Sequence, residues 1–315
     1  MADLAESDIL RHVFRHRRLA SWSECARQPC DECFAVHRPK LAHFLATGQP
    51  VHFVILAFPA KSPNRQKVLG DLPDLGEKLS IEFLQSFCDR IGHFYPPGAR
   101  ITIASDGHVF GELVGVTDAG VTDYGHELRS VIEQTGGDAI DVYGLAEALG
   151  ASGYDELRAR LERDYATPLD ELRERIATDP DARRQFNGIH RFLFEDQVDL
   201  VPGRSREQVR RASKSLAYQV IQRSNAWSDL VAERYPHALR LSIHPQPAHS
   251  EKIGFQLLPT ADNWLTPWHG VVLDDGNRFT LVKRHTAERR GATLVWRNNR
   301  PSHYVAPGVV LEEAA

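Results

Sequence analysis

The apolar run Val51 to Phe58 (VHFVILAF) passes directly into Pro59-Ala60-Lys61-Ser62-Pro63-Asn64-Arg65-Gln66-Lys67. Its length and its Val, Ile and Phe content are those of a strand buried in a sheet core, and Pro59 and Pro63 stop it from continuing as ladder or helix. Three cations, a hydroxyl and an amide therefore collect on a stiff loop at the carboxyl end of a core strand. Open α/β sheets bind ligands at that end, and cations beside Ser and Asn are what a carboxylate or phosphate requires. A merely solvated basic loop is the competing reading of the charges.

The pattern recurs. Arg100 to Ala104 reads as a second strand and runs into Ser105-Asp106-Gly107-His108, and Ala238 to Ile243 reads as a third, ending in His244-Pro245-Gln246. If the three strands are parallel neighbours, Lys61, Asp106 and His244 converge on one crevice suited to a small-molecule enzyme.

The expected architecture is a Rossmann-like mixed α/β sheet flanked by helices, forming one unit over residues 1–315. Residues 1–48 form an N-terminal helical segment, with Leu10, Val13 and Phe14 on one face and a second helix from Ala35 to Leu45 before Gly48. Pro73-Asp74 opens a helix reaching about Phe94, and Thr117 or Asp118 caps another that ends near Gln134. Residues 152–235 are a charged helical insertion whose Arg and Glu read as solvated faces, interrupted by a loop from Gln197 to Arg206 with a break at Pro202-Gly203. Residues 238–306 become β-rich, with hairpin signals at Asp274-Asp275-Gly276-Asn277 and Asn298-Asn299-Arg300-Pro301 that extend the sheet or form a small β unit.

Lys and Arg number 38 against 42 Asp and Glu, a net charge of −4, which does not suggest a nucleic-acid protein. The N-terminus lacks the regions of a signal peptide, and no run approaches the ~18 apolar residues that span a membrane, so a cytoplasmic location is expected. Cys25, Cys30 and Cys33 lie close together ahead of His37, a set that could bind zinc. Their spacing matches no zinc or iron–sulfur pattern closely, and they are assigned as reduced structural thiols with no metal; Cys88 sits in an apolar helical stripe. The chain carries no G-x-G-x-x-G, P-loop, G-x-S-x-G or H-E-x-x-H motif.

The segments Phe58 to Gly70 (FPAKSPNRQKVLG), Leu72-Pro73-Asp74, Tyr95-Pro96-Pro97-Gly98 and Ser105 to Phe110 (SDGHVF), with Leu113 to Asp118, Ser242 to Gln246 (SIHPQ) and Thr266 to Gly270 (TPWHG), resemble the pyoverdine/dityrosine biosynthesis family. Its bacterial members are isonitrile synthases. The resemblance implies conversion of the α-amino group of tyrosine or tryptophan to an isonitrile, with ribulose 5-phosphate as carbon donor. It implies no resident cofactor, and an iron(II)/2-oxoglutarate oxygenase acting on the product as functional partner.

An amine that attacks a ketone needs a base to keep it neutral and an acid to discharge water. Lys61, Asp106 and His244 are the expected catalytic residues, with Lys61 or Lys67 either gripping an anion or, if desolvated, forming an imine with the ketose. Ser62, Asn64, Lys67, Ser105, Gln246, Trp268, His269, Lys283 and Arg284 are the expected substrate contacts; Trp264 and Trp268 could stack on an aromatic ring or pack in the core. The alternatives are an enzyme forming an N-formyl amino acid from the same substrates and a non-catalytic sensor of an amino acid or sugar phosphate.

Overall fold

The computed structural model describes residues 2–198, 200 and 203–309. Five strands form a wholly parallel sheet: β1 (Val51–Leu56), β2 (Ala99–Ala104), β3 (Ile140–Tyr143), β4 (Leu239–Ser242) and β5 (Lys252–Gly254), in the order β3-β2-β1-β4-β5. β1 is central, with Phe53 beside Ile101 of β2 and Leu239 of β4. Val51 through Ile55 are all buried, as a strand covered on both faces must be.

One face carries Val51, Phe53 and Ile55 against Ile81, Leu84 and Phe87 of helix Leu75–Gly92 and against Ile9 and Val13 of helix Ala2–Phe14. The other carries Val54 and Ala104 against Trp227 and Leu230 of helix Arg206–Arg234 and Leu161 of helix Tyr154–Tyr165. The strand order reverses between β1 and β4, so the loops leaving those strands part around a crevice.

Strands β6 (Val271–Asp274), β7 (Phe279–Val282), β8 (Thr293–Arg297) and β9 (Arg300–Val305) form a separate sheet in the order β7-β6-β9-β8. Both expected hairpins are present, and the two are joined by the parallel β6/β9 pair. Asn298 and Asn299 both take positive φ, 51° and 59°, which a two-residue type I′ turn demands.

One expectation needs correction. The N-terminal segment is helical over Ala2–Phe14, Asp31–Ala35 and Arg38–Thr47, but most of residues 15–30 are not. Arg18 and Ala20 instead donate backbone hydrogen bonds to Gly254 (2.7 Å) and Gln246 (2.9 Å), and this tertiary pairing overrides helix formation. Strand β5 has only three residues, too few to show a periodic signal. In the insertion, the loop after helix Pro180–Gln197 is as expected, but Pro202 lies outside the described residues.

Gly107 is required by a close approach. A Cβ there would lie 2.1 Å from the Pro59 carbonyl oxygen and 2.5 Å from Val121 Cγ1, so the loops after β1 and β2 meet only because the side chain is absent. Gly107→Ala is therefore expected to destabilise the protein by roughly 1–3 kcal/mol, the usual overpacking range, as measured by urea denaturation. It should also separate Asp106 from the β1 loop, so that turnover falls even at temperatures where the variant is fully folded.

Candidate active site

The crevice holds a cavity that opens to solvent. Pro59, Ala60, Lys61 and Ser62 enter it from the loop after β1, Asp106 and Gly107 from the loop after β2, and Ile243 and His244 from the end of β4. Trp264, Thr266, Trp268 and His269 form another wall. The remaining wall comes from the insertion: Ile189, Phe192, Leu193 and Asp196 from helix Pro180–Gln197, and Val220 and Ser224 from helix Arg206–Arg234. The charged faces of these helices hid this contribution, because the inward positions are apolar and read simply as packing. A buried aspartate near the end of such a helix was the available signal.

Strain marks the entry to the β1 loop. Phe58, fully buried and 5.1 Å from the Trp268 ring, has a φ of 57°, a left-handed conformation that bulky residues rarely adopt. Its carbonyl accepts a 3.0 Å hydrogen bond from Ser105 Oγ. Ser105 therefore braces the loop rather than lining the cavity.

Lys61 is an anchored ammonium. Its Nζ lies 2.8 Å from Asp74 Oδ2 and 2.7 Å from Glu77 Oε2, donates to the Pro267 carbonyl at 3.2 Å, and has no solvent exposure. Burial pulls its pKa down, but Asp74 and Glu77 outweigh that, and the pKa is raised. An amine held in this form is poorly placed to attack a ketose, which weakens the imine reading of Lys61. Glu77, the N3 residue of the capping box begun by Asp74, is pushed up to about 7 by burial, and it also accepts from Tyr124 at 3.2 Å.

Ser62 donates to Asp196 Oδ1 at 2.6 Å, and Lys67 pairs with the same oxygen. Lys67 also lies over the Phe192 ring, 5.3 Å from its centroid. His269 stacks on that ring, hydrogen-bonds Thr266 Oγ1 through Nδ1 at 3.0 Å, and has its pKa lowered to about 3 by burial and the Lys67 charge. It is a neutral ring at physiological pH.

Several expected contacts are not cavity residues. Asn64 donates to the Glu195 carbonyl at 2.9 Å, and Lys283 pairs with the Glu195 side chain at 2.9 Å. Arg284 donates to the carbonyls of Arg65 (2.6 Å) and Val68 (3.1 Å), and Gln246 to Ser242 Oγ (3.1 Å). All four hold loops around the site.

Asp106 and His244 differ from the rest. Each is partly exposed toward the cavity, yet Asp106 Oδ1 and His244 Nδ1 are sealed from solvent without a hydrogen-bond partner, two of four such side-chain atoms among the described residues. Unsatisfied buried polar atoms are uncommon and concentrate where a ligand completes them. Burial pushes Asp106 up to about 7, and burial with the Arg18 and Lys252 charges brings His244 down to about 4. The usual order is inverted, leaving a neutral imidazole and a carboxyl that still carries a proton near neutrality on the walls of one cavity. Arg18, missed in the sequence, supports His244 by donating to the Ile243 carbonyl at 3.1 Å.

Comparison with known proteins bears on the family and the fold. The family model described as pyoverdine/dityrosine biosynthesis protein matches residues 41–295. The chain belongs to the pyoverdine/dityrosine biosynthesis family. It is 50% identical to the L-tryptophan isonitrile synthase AmbI2 of Fischerella ambigua, over 94% of this chain and 90% of that one. It is 41% identical to an L-tyrosine isonitrile synthase of Pseudomonas aeruginosa, over 99% and 98% of the two chains. The crystal structure of the PvcA protein from Pseudomonas aeruginosa superposes with a TM-score of 0.89 at 42% identity, covering 96% of this chain and 99% of that one. The family resemblance in the motifs and the α/β architecture are thus both established. No helix among the described residues is long and apolar enough to cross a membrane.

Removing Lys61 separates an anchoring role from a solvated one. Lys61→Met leaves Asp74 and Glu77 buried without their cation, and is expected to destabilise the protein by about 3–5 kcal/mol in chemical denaturation. Adding Glu77→Gln should recover part of that loss. A Lys61→Met variant as stable as wild type would show that the ion cluster does not hold the loop.

Proposed function

We propose that this family member is an isonitrile synthase of the carbon–carbon lyase class, acting on an aromatic L-amino acid with ribulose 5-phosphate as carbon donor, in secondary-metabolite biosynthesis. The observation that carries the reading is the pair Asp106 and His244, each with an unpartnered buried polar atom, in a cavity whose other walls are mostly apolar and aromatic. The isonitrile synthase activities of relatives at 50% and 41% identity support the reaction. Tryptophan is the favoured substrate: the more similar of those two relatives is a tryptophan enzyme, and Trp264, Phe192, Val220 and Leu193 offer an indole mostly apolar contact.

The residues divide the first condensation between them. Neutral His244 takes a proton from the substrate ammonium, and the freed amine adds to the ketone. Asp106 then delivers its proton to the departing hydroxyl, so that water leaves and a protonated imine remains. Fragmentation of the sugar skeleton needs further transfers, for which the same two groups are available in reversed protonation states. Lys67, with its side chain 13% exposed against 0% for Lys61, is the less buried of the two lysines, but it does not line the cavity and acts on it through its pair with Asp196. The reading assigns no resident cofactor. It keeps an iron(II)/2-oxoglutarate oxygenase as the enzyme that consumes the product, and a cytoplasmic location.

Purified protein given tryptophan or tyrosine and ribulose 5-phosphate labelled at its ketone carbon should yield the labelled isonitrile by mass spectrometry. A labelled N-formyl amino acid would establish the alternative enzyme, and no label in any amino-acid product would leave only a sensor.

The acid–base assignment has a pH signature. Asp106 must be protonated to donate, so kcat should fall as pH rises through about 7, while His244 stays neutral until pH approaches about 4. Asp106→Asn and His244→Gln should each lower kcat by about 10²- to 10⁴-fold, and the double variant by much less than the product of the two losses. Asp106→Asn should also remove the fall near pH 7. Its persistence in that variant would assign it to another group.

A further inference from the structure

Outside the cavity, three cysteines and a histidine face one another. Cys25 Sγ lies 3.5 Å from Cys30 Sγ and 3.7 Å from His249 Nε2; Cys30 Sγ lies 3.7 Å from Cys33 Sγ and 3.3 Å from His249 Nε2. All four donor atoms fall within 4.8 Å of one another. The sulfurs are too far apart for a disulfide, whose S–S bond is about 2.05 Å. Zinc bound tetrahedrally at ~2.3 Å to sulfur and ~2.0 Å to nitrogen sets its ligands about 3.8 Å apart between sulfurs and about 3.5 Å apart from sulfur to nitrogen. Four of the six separations, 3.3–3.7 Å, lie close to those edges, and the other two are within 4.8 Å.

We propose that Cys25, Cys30, Cys33 and His249 bind one zinc ion in a closed structural site. The fourth ligand comes from a distant part of the chain. His37, the nearby histidine that the sequence offered, is buried against Phe14 with ring centroids 5.7 Å apart, whereas His249 projects from the loop between β4 and β5. Nothing in the spacing of the cysteines could have indicated it.

The surroundings are those of an oriented metal site. Glu32 Oε2 lies 3.6 Å from His249 Nδ1, the nitrogen left over when Nε2 is a ligand, as in carboxylate–histidine–zinc arrangements. Arg17 donates to Cys33 Sγ at 3.3 Å and also to the Cys25 carbonyl. Three thiolates and a neutral imidazole around Zn²⁺ carry a net charge of −1, which the Arg17 guanidinium offsets. Four protein ligands leave no open position, and none of the four lines the active-site cavity, so the ion is structural rather than catalytic.

Zinc there would lock a segment that shapes the active site. Residues 18–20 already pair with Gly254 and Gln246, and His244 is the second residue of the β4–β5 loop. The metal closes the far end of that loop onto residues 25–33. His244 is then fixed at one end by β4 and at the other by a coordination bond.

The test is metal analysis of wild-type protein purified without chelator and exchanged into zinc-free buffer. About one zinc per chain is expected, together with a lower thermal midpoint after chelation and its return when zinc is restored. Cobalt(II) bound to the stripped protein should show the thiolate charge-transfer and ligand-field bands of a tetrahedral sulfur-rich site. His249→Ala changes an exposed side chain and so should fold. It should hold zinc at least tenfold more weakly, the range for loss of a ligand or its support, and should unfold with the stripped wild type when both are in chelator. Less than about a tenth of a zinc per chain after incubation with zinc, iron with sulfide in its place, or a Cys25–Cys30 disulfide in native mass spectra would each overturn the proposal.

Discussion

The Lys61 ammonium, 2.8 Å from Asp74 and 2.7 Å from Glu77, joins three parts of the molecule that share no strand. It belongs to the loop after β1, its carboxylates begin helix Leu75–Gly92, and its third acceptor is the Pro267 carbonyl of the turn that presents Trp268 and His269. Burying such a group is no efficient route to stability, because the desolvation penalty consumes most of the attraction, and an apolar cluster of the same volume would serve as well. Its value is positional. An ammonium with three acceptors in fixed directions tolerates little displacement, and the Phe58 backbone is held in its left-handed conformation by this anchoring together with packing on Trp268.

With the lysine committed to that task, the proposed proton transfer rests on groups the protein leaves unpaired. Asp106 and His244 acquire inverted affinities chiefly from burial, which disfavours whichever form is charged: the carboxyl holds its proton and the imidazole loses its own, with the Arg18 and Lys252 charges adding to the fall at His244. A hydrogen-bond partner at either unpaired atom would satisfy the position that the proposal reserves for substrate. The apolar walls are therefore part of the acid–base machinery as well as the seat of an aromatic ring.

The strands and the loops that leave them were legible because their signals are local. A buried strand must be continuously apolar, and prolines must end it, so β1, β2 and β4 could be placed with their polar ends, and Asp106 and His244 with them. What was not legible depends on pairing across the chain. Lys61 read as a free cation because nothing in the run from Phe58 to Lys67 indicates that Asp74 and Glu77 fold back onto it. Asp196 was hidden among solvated charges, and it takes up Ser62, Lys67 and the neighbourhood of His269 together. His249 lies 216 positions beyond Cys33 and has no spacing relation to it.

The charged insertion shows most clearly how the fold divides labour. Leu172, Ile176, Phe186, Ala217 and Ile221 form a small core of their own, so these helices hold together without drawing on the sheet. Leu193 and Val220 belong both to that core and to the cavity wall, and Asp196 binds the β1 loop from the same helix as Leu193. The proposed catalytic pair comes from strand ends, whose positions the sheet register determines, whereas much of the apolar wall of the cavity comes from helices packed on them. A change at Leu193 or Val220 can therefore reshape the ring pocket without moving Asp106 or His244. The converse does not hold, since any shift of β2 or β4 would move the acid–base pair relative to every wall at once.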